Sequence, residues 1–244
     1  MGITRRRKPK QQPAPRRLIR AGDRTMTFLP DAEEPDNATY PSQEEIEAAF
    51  SDAPTDLTWD WASLRLIPLF ERGYGEGFTG DQMINTVSHL GVGIGFGIDF
   101  GPMLGRVTQS MARRWEASLE QIEHAAFTHL AEAAASISRA DLQSVVHRGH
   151  FFRVLSTNNG WASSLILTDG EHLIRIFGTR DAILTAPARN ALLAFGPGTP
   201  ERAVAEVTFN LESMDPNPLQ LEPFVMEDGV IRWHGLEDDL VEVI

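Results

Sequence analysis

From Gly91 to Gly101 the chain reads Gly91-Val92-Gly93-Ile94-Gly95-Phe96-Gly97-Ile98-Asp99-Phe100-Gly101, glycine alternating with a large apolar residue up to an Asp and a turn at Pro102. A period of two is that of a β-strand, whose successive side chains point to opposite faces. Val92, Ile94, Phe96 and Ile98 therefore share one face, and Gly91, Gly93, Gly95 and Gly97 leave the other bare. Glycine within a strand gives up packing and costs chain entropy. Four in alternation require a helix, another backbone or a ligand to come closer than side chains would permit.

A second oddity complements the first. Ser118 and Gln121 form a capping box, followed at helical spacing by Leu119, Ile122, Ala126, Leu130, Ala133 or Ala134, and Ile137. Six alanines between Ala125 and Ala135 make this helix slim. Close packing of the slim helix on the bare strand would account for both features.

The remaining elements are read from caps and turns. Ser42-Gln43-Glu44-Glu45 opens a short helix, and the folded body is expected from Leu57, anchored by Trp59 and Trp61. Ser63–Phe70 reads as a strand that Pro68 bends or confines to an edge. Gly73, Gly75, Gly77 and Gly80 mark a loop, and Gln109–Trp115 a helix. Val145–Ser156 reads as one strand, and Trp161–Leu167 as a short helix or a buried strand. His172–Phe177 and Ala182–Thr185 read as a hairpin, Pro187–Phe195 and Thr199–Ser213 as helices, and Leu219–Met226 with Val230–Trp233 as a hairpin across Asp228-Gly229. The irregular alternation predicts an α+β fold with a mixed or antiparallel sheet. The expected organisation is a basic arm over 1–24, an acidic linker over 25–56, a body over 57–236 that is either whole or split into two subdomains near 140, and an acidic tail over 237–244.

Charge is divided along the chain. Residues 1–24 hold nine basic groups, Arg5, Arg6, Arg7, Lys8, Lys10, Arg16, Arg17, Arg20 and Arg24, against Asp23 alone. That segment is thus +8, and the remainder of a chain of net charge −12 carries −20. Such an arm cannot form a core and is expected to stay flexible, either as a solvated tail or as a salt-sensitive contact for a polyanion such as nucleic acid or a ribosome. No aromatic residue is interleaved with the basic ones to stack on bases. The chain has no cysteine, which excludes disulfides, thiolate metal sites and a cysteine nucleophile. No apolar run approaches the ~20 residues of a membrane span, so the expectation is a cytoplasmic protein without membrane contact.

Recognisable catalytic patterns are missing. The glycine runs fit neither GxGxxG before a helix nor a P-loop, since both lysines lie in the arm. Asp99-Phe100-Gly101 lacks the companions that would make it a kinase motif. His124 and His129 stand about 140° apart on the long helix, which excludes a shared metal in the usual i, i+4 manner. His147 and His150 read as structural or surface residues. The reading calls for no cofactor and no metal.

The strand ending in Ile98-Asp99, then Arg106-Val107-Thr108, a Trp, and a helix bearing Ala126 and Leu130 resemble the YtpQ-like family of bacterial proteins, a domain of unknown function. Asn159-Gly160-Trp161-Ala-Ser-Ser-Leu165 and Thr179-Arg-Asp181 are similar as well, so that the resemblance spans about residues 60 to 235. His129 stands where the pattern would place Asn, and the basic arm lies outside it. The resemblance implies an α+β fold and a soluble bacterial protein, and it supplies no catalytic residues. Two functions follow from the residues. The first is a non-enzymatic binding protein whose acidic body meets a protein partner while Arg5, Arg6, Arg7, Lys8, Lys10, Arg16, Arg17 and Arg20 engage a polyanion. The second is a small-ligand binder or enzyme with a cleft at the end of the glycine strand, where Asp99 is joined by Arg106 or His129. Asp99 has a simpler role available, as an Asx turn fixing the amide two residues on. The sequence leaves the oligomeric state open.

Overall fold

The computed structural model describes residues 20–21, 24–25, 43–70, 83–101, 103–157, 159–215 and 218–233. Contacts divide the chain into Met1–Ala38 and Thr39–Ile244. In the first unit, β1 (Arg20–Ala21) pairs antiparallel with β2 (Arg24–Thr25). Arg5, Arg6, Arg7, Lys8, Lys10, Arg16 and Arg17 lie outside the described residues, as do the glycine loop over 71–80 and the tail over 237–244.

The second unit is α+β with two antiparallel sheets. It begins with the short helix α1 (Gln43–Asp52), then α2 (Trp59–Ala62), which runs through a 3-10 turn at Ser63–Arg65 into β3 (Leu66–Phe70). Trp59 packs against Trp115, whose indole donates to the Leu57 carbonyl at 2.6 Å. The smaller sheet is centred on the glycine strand, β5 (Gly93–Asp99). β3 covers one of its edges. The other edge is shared end to end by β4 (Asn85–Val87), opposite Gly93–Gly95, and β6 (Leu104–Arg106), opposite Gly97–Asp99. Pro68 thus sits in an edge strand, where its missing N–H costs no ladder bond to a further neighbour.

Pairing fixes what meets the bare face. Ile67 and Leu69 stand opposite Gly97 and Gly95, on the glycine side, while Leu66, Pro68 and Phe70 oppose Ile98, Phe96 and Ile94. A Cβ at Gly97 would lie 2.7 Å from Leu69 Cδ1 and 3.4 Å from the Gly105 carbonyl oxygen. At Gly97 the close approach therefore comes from the two neighbouring strands.

Helix α3 (Gln109–Trp115) is capped by Thr108 and ends at Glu116 in the left-handed region. The Ala-rich helix α4 (Leu119–Ser136) starts at the full Ser118/Gln121 capping box and buries Ile122, Ala126, Leu130 and Ala134. It lies chiefly on β3 and the Ser63–Arg65 turn, with a lesser contact on β5. Its last carbonyls, which no turn of helix follows, accept from Arg175, whose guanidinium reaches Ala134 and Ile137.

The larger sheet has the order β12-β11-β9-β10-β8-β7, all antiparallel. Its strands are β7 (Leu142–His147), β8 (His150–Ser156), β9 (Ala182–Ala188), β10 (Ala191–Phe195), β11 (Phe224–Glu227) and β12 (Val230–Trp233). The single strand expected over Val145–Ser156 is instead this β7–β8 hairpin, turning at Arg148 and Gly149, both at positive φ. His172–Phe177 is helical, within α5 (Gly170–Phe177), which Asp169 caps and Gly178 ends in the left-handed region. Pro187–Phe195 is strand, ending β9 and forming β10, where a helix was expected. Trp161–Leu167 enters a buried 3-10 helix at Ala162–Leu167. Helix α6 (Glu201–Glu212) packs on one face of the large sheet through Val204 and Val207, against Phe152, Leu193 and Phe195. The other face joins one core cluster that runs from Ala62 to Met226, on both sides of residue 140. Among the described residues no helix is long and apolar enough to cross a membrane.

Candidate functional site

At the end of β5, where the bare face meets solvent, a cleft of about 550 Å³ is lined by Ala53, Trp61, Leu64, Arg65, Asp99, Phe100, Gly101 and His129. Asp99 continues the glycine face of the strand, so no neighbouring side chain on β5 screens it. Its Oδ1 accepts from the Gly101 amide at 2.7 Å, the Asx turn anticipated from Asp99-Phe100-Gly101. Its Oδ2 accepts from the Asn159 side-chain amide at 2.8 Å, sixty residues away. Burial pushes the Asp99 carboxyl above the usual carboxylate range, opposed by these two hydrogen bonds and by the charges of His129 and Arg65.

His129 comes from α4. Its Nδ1 lies 3.2 Å from the Leu66 carbonyl oxygen. A carbonyl only accepts, so this bond places the proton on Nδ1 and leaves Nε2 as the ring's acceptor while the imidazole is neutral. Packing of α4 on β3 thus brings the helix histidine to the end of the neighbouring strand.

Arg65 stands at the end of the 3-10 turn. Its Nη1 donates to the Trp61 carbonyl at 3.1 Å, and its guanidinium carbon sits 4.3 Å from the centroid of the Trp61 ring. This contact holds the cation over the indole face. Trp61 in turn meets Phe100 with ring centroids 5.6 Å apart, which gives the cleft an aromatic wall. Leu64, 70% exposed, forms part of its lining.

Of the residues singled out from sequence, the structure brings Asp99 and His129 into one cleft. Arg106 is not among the lining residues. It lies on β6 opposite Gly97, and its guanidinium is pushed down to about 10 by burial first and by the like charge of Arg189 second. Arg20 belongs to β1 in the first unit. Sequence reading missed Arg65, Trp61 and Asn159 as site residues. Trp61 and Arg65 are four apart, a helical spacing that places an Arg over an aromatic ring. Asn159-Gly160 signalled only its turn. Among the described residues no group of three or more His, Asp or Glu is placed to hold a metal ion.

The cleft can therefore present a fixed guanidinium, a partly buried carboxylate and an imidazole acceptor beside an aromatic wall. No protein-family model, curated protein or solved structure matches this chain.

Proposed function

We propose that this is a small-ligand-binding protein whose site is the cleft at the end of the glycine strand. The observation that carries the reading is the convergence on one cleft of Arg65, Asp99 and His129 from three separate elements, beside Trp61 and Phe100. A concave site with an aromatic wall and a few oriented polar groups is the usual form of a small-molecule site, and a volume of about 550 Å³ lies within the common range of about 300–1,000 Å³. The role read here is binding: Asp99 is tied into two turns by one hydrogen bond on each oxygen, and each oxygen keeps a lone pair for a ligand. The resemblance to the YtpQ-like family brings no site residues, so the assignment rests on the cleft.

Thermal unfolding of the full chain against a library of small polar metabolites tests it. Compounds that raise the melting temperature of the wild type should lose that effect on Arg65→Gln and Asp99→Asn, while both variants alone melt cooperatively. If every stabilising compound acts equally on both variants, the cleft is not the site.

The basic segment supports a second, separate contact. A charge of +8 in residues 1–24 against −20 in the rest favours a polyanion such as nucleic acid or a ribosome on that segment, with a protein partner left to the acidic body. Pull-down from lysate at low and high salt, with and without residues 1–24, tests it. Nucleic acid captured by the full chain alone and lost at high salt is the expected result. Equal capture by both proteins, or no capture by either, would contradict it.

A further inference from the structure

The geometry points to a small carboxylic acid that also carries a hydrogen-bond donor, a hydroxyl or an ammonium, as the ligand class of this cleft. This inference rests on the cleft being the binding site and adds the chemistry of what fills it.

The cleft holds opposite charges that are not ion-paired with each other. Ion pairs among the described residues join Arg148 and His147 to Glu206, Arg180 to Asp228 and Arg232 to Glu227, and none of these includes Arg65 or Asp99. Arg65 spends one Nη1 hydrogen on the Trp61 carbonyl and one guanidinium face on the Trp61 ring. Those two contacts restrain the guanidinium, so that less rotamer freedom is left to lose when an anion arrives. A planar carboxylate matches such a fork in two parallel bonds.

Opposite in character are the two acceptors. Asp99 takes one bond on each oxygen and retains a second lone pair on each. The His129 bond to the Leu66 carbonyl leaves Nε2 as a further acceptor. Neither acceptor can satisfy a carboxylate, and Arg65, which only donates, cannot accept from a hydroxyl or an ammonium. A ligand that carries both an acid and a donor meets both ends. Its apolar remainder then falls to Trp61, Phe100 and Leu64, the flat and greasy part of the lining.

Three related probes separate these contributions: 3-phenyllactate with acid and hydroxyl, 3-phenylpropanoate with acid alone, and 3-phenylpropane-1,2-diol with hydroxyls alone. Binding to the full chain is followed by amide shifts at Gly101 and by the Trp61 indole signal. Phenyllactate should bind about ten-fold more tightly than the diol, the scale of one charge-assisted bidentate pair. Phenylpropanoate should fall between them. Arg65→Gln should weaken phenyllactate about ten-fold and leave the diol unchanged, and Arg65→Lys should recover only part of the loss because it keeps charge without the planar fork. Diol and phenyllactate binding equally at these signals, or Arg65→Gln weakening both alike, would overturn the ligand class while leaving the cleft as a site. If none of the three shifts Gly101 or Trp61 at millimolar concentration, both the ligand class and the cleft assignment fall.

Discussion

The two sheets of the body differ in what they do with their faces. The central strands of the six-stranded sheet are covered on both sides, by α6 over Phe152, Leu193 and Phe195 and by the main core over Leu184, Leu192 and Phe224, while toward its margins Val146, Phe151, Val230 and Trp233 are exposed. Even its buried hydroxyls are matched, Thr208 donating to Thr185 at 3.0 Å across the α6 interface. The smaller sheet surrenders side chains along the glycine face of β5 and ends that face in a carboxylate at a cleft. Both sheets bury their central strands, and the smaller one keeps a cleft at the end of β5. The polar groups of the cleft stand at the edge of a scaffold whose strands β3 and β5 are buried.

Substitutions can break this contrast, and the large sheet should suffer most. Phe195 is 2% exposed and stacks on Phe152 at 4.9 Å. Phe195→Ala should cost about 3–5 kcal/mol in urea unfolding, as loss of transfer energy plus a cavity. Gly97→Ala should cost less, about 1–2 kcal/mol, because the atom in the way is the end of the Leu69 side chain, which can swing aside. A loss as large as that of Phe195→Ala would mean that the glycine face is packed as rigidly as the large sheet. Next comes the tie between Asp99 and Asn159. Asn159→Ala should lower stability by about 1 kcal/mol and raise the Asp99 pKa further, since it removes a hydrogen bond to the charged form. Carboxyl carbon NMR shifts through an acid titration read that change directly, and an unchanged Asp99 titration would contradict it.

The smallest effect concerns pH. Burial raises the folded-state pKa of Asp99 above its ordinary value near 3.8, so in that interval the folded protein binds more protons than the unfolded chain. The contribution of Asp99 to stability is therefore fullest below the ordinary value and is lost as pH rises through the raised one. Asp99→Asn does not titrate. Its stability relative to wild type should rise between about pH 3 and about pH 7, read from unfolding midpoints of both proteins. A difference that falls over this range would show that hydrogen bonds and neighbouring cations outweigh desolvation at Asp99.

What could be read in advance follows the strength of local signals. α4 was legible because a capping box and eighteen residues of helical spacing agree. β5 was legible because its alternation admits no helical period. α5 was not, since eight residues give little more than two turns of period and Asp169 and Gly178 read equally well as turn residues. The turn at Arg148 has a left-handed Arg where Asn or Gly would have signalled it, and so the β7–β8 hairpin read as one strand. β10 read as helix because Ala191–Phe195 is short and apolar, and only its pairing with β8 and β9 decides its form. At the site, Asp99 was visible from its position at the end of the strand, and His129 from its helix. Asn159 joins Asp99 only through tertiary folding, and Arg65 acquires its role from the indole beneath it.

The central claim is that the open end of the small sheet is where this protein meets its ligand. Amide and indole NMR of the full chain during a fragment screen tests it most directly. Shifts gathered on Trp61, Arg65, Gly101 and His129, and reduced by Asp99→Asn, are the result expected here. Shifts gathered instead around the exposed Val146 and Phe151 of the large sheet would contradict it.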